Sequence, residues 1–256
     1  MALFAVSTAL VEAALHHCVV ATPRWGSYAR SPHDRRGLPQ LVEDEAALDE
    51  MTPCGVDERC IYFVTGNAKK EQEVNLILSD QDLRPFRVEH VDLDLPELQG
   101  EPLDIAREKC RCAAQRVQAS VIVEDTSLCF NALNGMPGPY IKWFVSAVGN
   151  DGLFDLLAGK EDKTAYCQCT LAFSPGPGAE PLVFVGRTDG RVVPPEGEGG
   201  FGWDAIFVPN GMEMPFGAMP IETKNQISHR ARALQKFVAH CKHNEDAIME
   251  LISTWS

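Results

Sequence analysis

No CxxC pair occurs among the nine cysteines of this chain. Together with their odd number, this argues against a zinc site and against a disulfide framework. The two CxC pairs restore neither. Cys110 and Cys112 fall in a helical pattern, where their side chains diverge; Cys167 and Cys169 fall in a strand pattern and share one face, directed inward. Reduced thiols in a cytosolic protein are the expectation. Basic residues are also scarce, 23 against 36 acidic ones for a net charge of −13, which disfavours a general nucleic-acid surface. A polyphosphate site in such a chain has to be a local basic pocket, and an acidic protein that handles phosphates suggests a divalent metal held by carboxylates. No apolar run is long enough to span a bilayer. The first twenty residues are apolar, but Glu12 and the pair His16-His17 interrupt them and no basic stretch precedes them, a poor fit to a secretory signal. Arg24, Arg30, Arg35 and Arg36 follow with few acids; the readings are an organelle-transit segment or a poorly ordered extension, with the protein expected in the cytoplasm. Internal repeats and the GxxxxGK[ST] spacing of a Walker loop are absent as well.

What is present suits one large α/β domain or two small ones: 256 residues, 45% of them hydrophobic. Residues 1–58 read as an N-terminal extension and 59–256 as the compact domain. From there strands and helices alternate. Ile61–Val64 is a buried strand; Val74, Ile77 and Leu78 mark the inward face of a helix; Phe86–Val91 is a second strand. Leu103, Ala106, Cys110, Ala113 and Val117 step three and four residues at a time, an amphipathic helix. Val121–Val123 is a short buried strand ending at Glu124-Asp125. Ile141–Val148 and Leu153–Leu157 read as helical, and Thr164–Phe173 alternates with period two. Leu182–Arg187 and Gly190–Val193 are expected as antiparallel strands around Asp189-Gly190, followed by a strand at Ala205–Val208. The last clear helix has Ser228 as N-cap and Ala231, Leu234, Val238 and Cys241 inward. The expected fold class is α/β, a twisted mixed sheet flanked by helices.

Five segments carry candidate chemistry. Thr65-Gly66-Asn67-Ala68-Lys69-Lys70 joins a strand to a helix start, where unpaired N–H groups and two lysines suit phosphate; an ordinary turn with solvated lysines has the same pattern. Glu124-Asp125-Thr126 places two acids at a strand's carboxyl end, where α/β sheets bind ligands, to hold hydrated Mg²⁺ or act as general base, unless Asp125 only caps a turn. Glu73 and Glu97 are further carboxylate candidates, though an acid in such a position, taken singly, is more often a solvated surface residue. Gly135–Phe144 is a rigid loop with Lys142 opening a helix, and Trp143 and Phe144 read as packing. Gly200-Phe201-Gly202-Trp203-Asp204 offers free backbone, rings that stack on a base and an acid that accepts hydrogen bonds, or a core tryptophan on a hairpin. Finally Lys224 precedes Ser228-His229-Arg230; an arginine in a helix's first turn opposes the helix dipole, and its fork suits a purine carbonyl.

In this order the five segments closely resemble the inosine triphosphate pyrophosphatase family, the Ham1-like non-canonical purine nucleotide pyrophosphatases, over roughly Ile61 to His240. The resemblance implies two lobes with a central nucleotide cleft, and hydrolysis of ITP, dITP and XTP to monophosphate and pyrophosphate, cleansing the nucleotide pool. It implies Mg²⁺ or Mn²⁺, one or more per subunit, and a homodimer that binds neither nucleic acid nor membrane. Carried onto these residues, Thr65, Gly66, Asn67, Ala68, Lys69 and Lys70 form the phosphate loop. Glu97 and Asp125 are metal-associated acids, Glu73 is a further acid near the metal, and Asp125 and Glu73 serve catalysis. Lys109, Lys142 and Lys224 contact substrate, as does Thr126, and Phe201, Gly202, Trp203, Asp204, His229 and Arg230 form the base pocket. A Maf-like pyrophosphatase of other nucleotides and a catalytically silent nucleotide-binding module are the alternatives; the FGWD and SHR segments weigh against the first, the retained acids against the second. The extension 1–58 lies outside the family core.

Overall fold

The computed structural model describes residues 59–197 and 201–253. The expected extension 1–58 and Gly200 lie outside the described residues.

One mixed sheet organises the described chain, with strand order β2-β1-β3-β5-β6-β7. β1 (Cys60–Val64) lies parallel to β2 (Arg87–Val91) on one side and to β3 (Val121–Phe130) on the other. These two crossovers carry α1 (Ala68–Ser79) and α2 (Pro102–Val117), as parallel neighbours require. The rest is antiparallel: β3 with β5 (Thr164–Ser174), β5 with β6 (Leu182–Val192), and β6 with β7 (Phe207–Pro209). A two-residue strand β4 (Pro137–Gly138) pairs with the far end of β3. α3 (Ile141–Asp155), kinked at Gly149 with φ 66°, follows it. α4 (Ile221–Ile227), α5 (His229–His243) and α6 (Glu245–Ser253) close the described chain.

Strand alternation sorts the core into three clusters. Ile61, Phe63, Ile122, Cys169, Leu171 and Phe173 face α1, α5 and α6, meeting Val74, Ile77, Leu234 and Phe237. Tyr62, Val64, Val121 and Val123 point the other way, onto Ala106, Cys110 and Ala113 of α2. Beyond both, the far ends of β3 and β5 meet α3 and residues 203–219 in a second core of Leu128, Phe130, Leu153, Leu157, Trp203, Phe207 and Phe216. All seven described cysteines are free thiols; Cys167 and Cys169 are both buried, as strand alternation predicts.

Three expectations need correction. β3 does not stop at Val123 but runs on to Phe130, held by ten residue pairs with β5, so Glu124 and Asp125 lie mid-strand. Asp189-Gly190 is no turn: 182–192 is one strand, and Gly190 is needed because a Cβ there would strike the Val208 carbonyl and the Phe207 ring of β7. The strand expected at Ala205–Val208 is a 3₁₀ turn at Asp204–Ile206 followed by β7. The α6 helix had not been expected, although Ile248 and Ile252 sit four apart and are both buried.

Gly186 of β6 lies under α5, and a Cβ there would penetrate the His229 carbonyl and the Ala233 amide. Backbone cannot yield as a flexible side chain can. Gly186→Ala is therefore expected to destabilise the fold by about 3 kcal/mol or more, measured by urea unfolding.

Candidate active site

The site begins where β1 ends. Asn67 caps α1: its Oδ1 accepts from the N–H groups of Lys69 and Lys70, each at 3.1 Å. The Asn67 N–H in turn donates to Thr65 Oγ1 at 3.2 Å. The two helix-start donors at Lys69 and Lys70 are thus satisfied within the protein, and ammonium groups supply the positive charge. The adjacent lysines diverge. Lys70 Nζ reaches Glu124 Oε1 at 2.7 Å, whereas Lys69 Nζ lies 5.7 Å from the centre of the Phe201 ring. The expectation that both lysines serve one phosphate loop gives way to one lysine on each side.

Glu124 and Asp125 diverge for the same kind of reason, since neighbours in a strand face opposite ways. Glu124 points to α1 and α5, Asp125 to α2, where Lys109 Nζ lies 3.5 Å from its Oδ1. The two acids therefore do not share one ion.

Glu124 is the centre of a buried row of alternating charges. Arg230 donates to it twice, from Nε at 3.1 Å and Nη2 at 3.2 Å. The same guanidinium donates to Glu73 and, at 3.3 Å, to Thr126 Oγ1. Glu73 also accepts from Lys224 Nζ at 2.7 Å, and Lys224 donates to Asp204 Oδ2 at 2.6 Å. Asp204 further accepts from the Phe201 N–H at 2.7 Å, which holds the start of that loop. The order is Lys70, Glu124, Arg230, Glu73, Lys224, Asp204: three cations and three anions. Desolvating such groups is costly, and only mutual pairing with satisfied hydrogen bonds offsets it. Burial alone would raise the Glu124 carboxyl, but Arg230 and Lys70 override it and hold it well below its ordinary range. Cys169, across from Thr126 on β5, adds a thiol donor to Glu124 at 3.0 Å.

This arrangement revises three placements. Arg230 is only 2% exposed and its fork is taken by two carboxylates and a hydroxyl, so it does not stand open toward a base. Lys224, expected to contact substrate, is buried with its ammonium held between two acids. Glu73 is enclosed between two cations, apart from the Glu97–Asp125 pair. Glu124, expected with Asp125 to hold Mg²⁺ or act as general base, is instead the hub of the row; Cys169 was expected only as a buried thiol. Trp203 packs edge-on to Phe207, beside Phe216 and His229, within the second core. Trp143, expected to pack, is 56% exposed, with Lys142 Nζ 5.4 Å from its ring.

Two cavities flank the charge row. One, of about 300 Å³, is bounded by Thr65–Asn67, Glu97, Lys109, Val123-Glu124 and Lys142. Glu97 accepts from Lys142 at 2.6 Å through Oε1 and pairs with Lys109 at 3.5 Å through Oε2. Burial would raise the Glu97 carboxyl, but Lys142 and Lys109 bring it below its ordinary value. Asp125 behaves oppositely: burial raises it, and Lys70 and Lys109 only partly counter that. A carboxyl shifted upward is better suited to accept a proton near neutral pH. Lys109 also lies between Glu97 and Asp125, so one cation already fits between these two acids. Among the described residues no group of three or more His, Cys, Asp or Glu gathers as metal ligands. A hard divalent ion held there would complete its shell with water or phosphate oxygens.

The second cavity, of about 270 Å³, is walled by Lys69, Glu73, Phe201, Phe216, Met219 and Lys224 among others. Gly202 has φ 61°, a left-handed conformation that suits glycine. His229 packs against Phe216 and Trp203, and neither ring nitrogen has a hydrogen-bond partner within the protein. Burial, with Arg230 and Lys224 nearby, keeps its imidazole neutral.

A Ham1 family model matches residues 61–240. Solved structures agree. The Ham1 protein of Staphylococcus aureus superposes with a TM-score of 0.60 at 27% identity, over 72% of this chain and 99% of that one. The nucleoside-triphosphatase / dITP/XTP pyrophosphatase of Mycobacterium abscessus does so with a TM-score of 0.55 at 27% identity, over 70% and 97%. A HAM1 protein from Coxiella burnetii, 24% identical, shares the fold with a TM-score of 0.64 over 72% and 98%.

Two outcomes are expected. Glu124→Gln leaves Arg230 and Lys70 short of a buried counter-charge and should lower stability by about 3–5 kcal/mol in denaturant titration. His229 has a folded-state pKa below its ordinary 6.5. The folded state therefore binds fewer protons than the unfolded chain, so stability is complete above that pH and falls as pH drops below it. His229→Asn should flatten that fall, read as unfolding free energy between pH 7.5 and 5.

Proposed function

The chain belongs to the Ham1 family, and from that premise we propose that it hydrolyses ITP, dITP and XTP to the monophosphate and pyrophosphate. It is a hydrolase acting on acid anhydrides, a nucleoside triphosphate pyrophosphatase. The observation that carries the finer reading is the pair of cavities on either side of one charge row, one rich in lysines and carboxylates, the other lined by Phe201 and Phe216. The first suits a triphosphate, the second a base. The role that follows is removal of deaminated purines from the nucleotide pool, in the cytoplasm, by a homodimer, with residues 1–58 as an appendage to the catalytic domain.

The chemistry follows from charge. The α-phosphorus is shielded by anionic oxygens, which must be neutralised before water can attack. Lys109 and Lys142, which line the first cavity, would supply this, with Thr65–Asn67 shaping the turn against the phosphates. Asp125, its carboxyl raised by burial, would take the proton of the attacking water as the anhydride bond breaks and pyrophosphate leaves. Glu97 and Asp125 would hold Mg²⁺ or Mn²⁺, which when bound contributes charge neutralisation to the phosphates. Glu73 would act by holding Arg230 and Lys224 in place.

Base choice would rest on the second cavity. Phe201 is the ring placed to stack, with Lys69 over it. His229, behind the Phe216 ring, is neutral and has one donor and one acceptor nitrogen, neither with a partner within the protein; its N–H would favour a base that offers a carbonyl at C6. A lost buried hydrogen bond costs about 1–3 kcal/mol.

The test is pyrophosphate release from ITP, dITP, XTP, GTP, ATP and dTTP, with and without Mg²⁺. ITP, dITP and XTP should lead, with ATP at least about tenfold lower in kcat/KM. Asp125→Asn should retain its fold and lose about 10²–10⁴ in kcat. Equal turnover of ATP and ITP would refute the base assignment, and full activity of Asp125→Asn would refute the role of Asp125.

A further inference from the structure

We propose that Lys109 is an internal placeholder cation: it occupies the Glu97–Asp125 pair until a divalent ion displaces it, and its freed ammonium then serves the phosphates. The proposal rests on the reading of this cavity given above and concerns how the site is loaded.

Geometry and charge carry it. Lys109 Nζ stands 3.5 Å from Asp125 Oδ1 and 3.5 Å from Glu97 Oε2. Its side chain is 12% exposed and that of Asp125 14%, so their interaction is only weakly screened by solvent. The contrast with Lys142 is informative. Lys142 holds the other oxygen of Glu97 at 2.6 Å from a side chain 65% exposed. One oxygen of Glu97 is therefore taken by Lys142 from the solvent side, and its second oxygen, with Asp125, is the pair that Lys109 bridges.

Both of these contacts of Lys109 are long for a charge-assisted hydrogen bond, whose N···O distance is normally about 2.7–2.9 Å. The ammonium bridges the two carboxylates without closing tightly on either, as a spherical charge balancing two anions does. A divalent ion between the same oxygens would lie against the ammonium, and like charges at that separation repel. Lys109 must then leave. Its stem is a flexible four-carbon chain, and it lines the 300 Å³ cavity shared with the Thr65–Asn67 turn and Lys142. Side-chain rotation alone carries the charge toward the place proposed for the triphosphate. Metal and phosphate then bind with positive coupling, because the ion releases a cation that the phosphates need.

The experiment is isothermal titration of Mn²⁺ into the full chain, without nucleotide, for the wild type, Lys109→Met and Lys109→Gln, repeated with inorganic pyrophosphate. Removing the placeholder should tighten Mn²⁺ alone by about tenfold, within the usual range of site-to-site coupling. It should also shrink the additional tightening that pyrophosphate brings. Lys109→Arg keeps a cation and should stay near wild-type Mn²⁺ affinity. Thermal unfolding gives an independent readout: Lys109→Met and Lys109→Gln should melt lower than wild type without metal and gain more from Mn²⁺. Mn²⁺ binding to either variant that equals or falls below wild type overturns the proposal while pyrophosphate release from ITP by the wild type leaves the proposed function standing. A wild type that binds no Mn²⁺ overturns the proposal and the metal reading together.

Discussion

The row of six buried charges from Lys70 to Asp204 is the constraint on which the rest of this molecule depends. None of its members could be buried alone. Each is tolerable because a group of opposite sign, delivered by a different element, meets it: Lys70 and Glu73 from α1, Glu124 from β3, Lys224 from α4, Arg230 from α5, and Asp204 from the loop after β6. The row thus fastens α1, α4 and α5 to the centre of the sheet and to the second core. It also ties the two cavities together, since Glu124 borders one while Glu73 and Lys224 border the other. Net neutrality inside the row leaves the lysines of the outer cavity as the charge that faces a ligand.

Much of this was legible from residue order alone, and what was not has a common physical cause. Period-two alternation located β5 and the inward face of Cys167 and Cys169; a strand ending in a polar turn located β1; Ser228 announced the start of α5, where its side chain accepts from the Ala231 N–H. These are local signals, set within a few residues. The polarity of a neighbour that arrives from afar is not local. Arg230 is separated from Glu124 by 106 positions and from Glu73 by 157, so an arginine with a free fork and an arginine locked between acids read identically in sequence. The length of β3 was missed because two acids look like the end of a buried strand until cations from α1, α2 and α5 are known to meet them. Gly190 looked like a turn because glycine serves turns and close strand contacts alike; only β7, seventeen residues on, distinguishes them.

Order of motifs did more than any single motif. The Thr65–Lys70 segment fits an ordinary turn as well as a phosphate loop, and in the fold its helix start is indeed capped by its own Asn67. Five segments in sequence constrain one sheet with one cleft far more tightly, because each must reach the same small volume from a different element. Their individual roles were less secure than their convergence. Glu73, Lys224 and Arg230 all come to the site, but as partners of one another.

The pleat of β3 has a consequence of its own. One peptide bond separates Glu124 from Asp125, yet it acts as a partition between two electrostatic compartments: a neutral charge row that maintains architecture, and the α2 side, where Asp125 meets Lys109 and is left responsive. Parity along the strand assigns each carboxylate its compartment. A single-residue insertion or deletion upstream within β3 would exchange them, presenting the reactive acid to the arginine and the structural acid to Lys109, with composition almost unchanged. Such a chain would keep every functional residue and have them on the wrong sides of a wall one backbone thick.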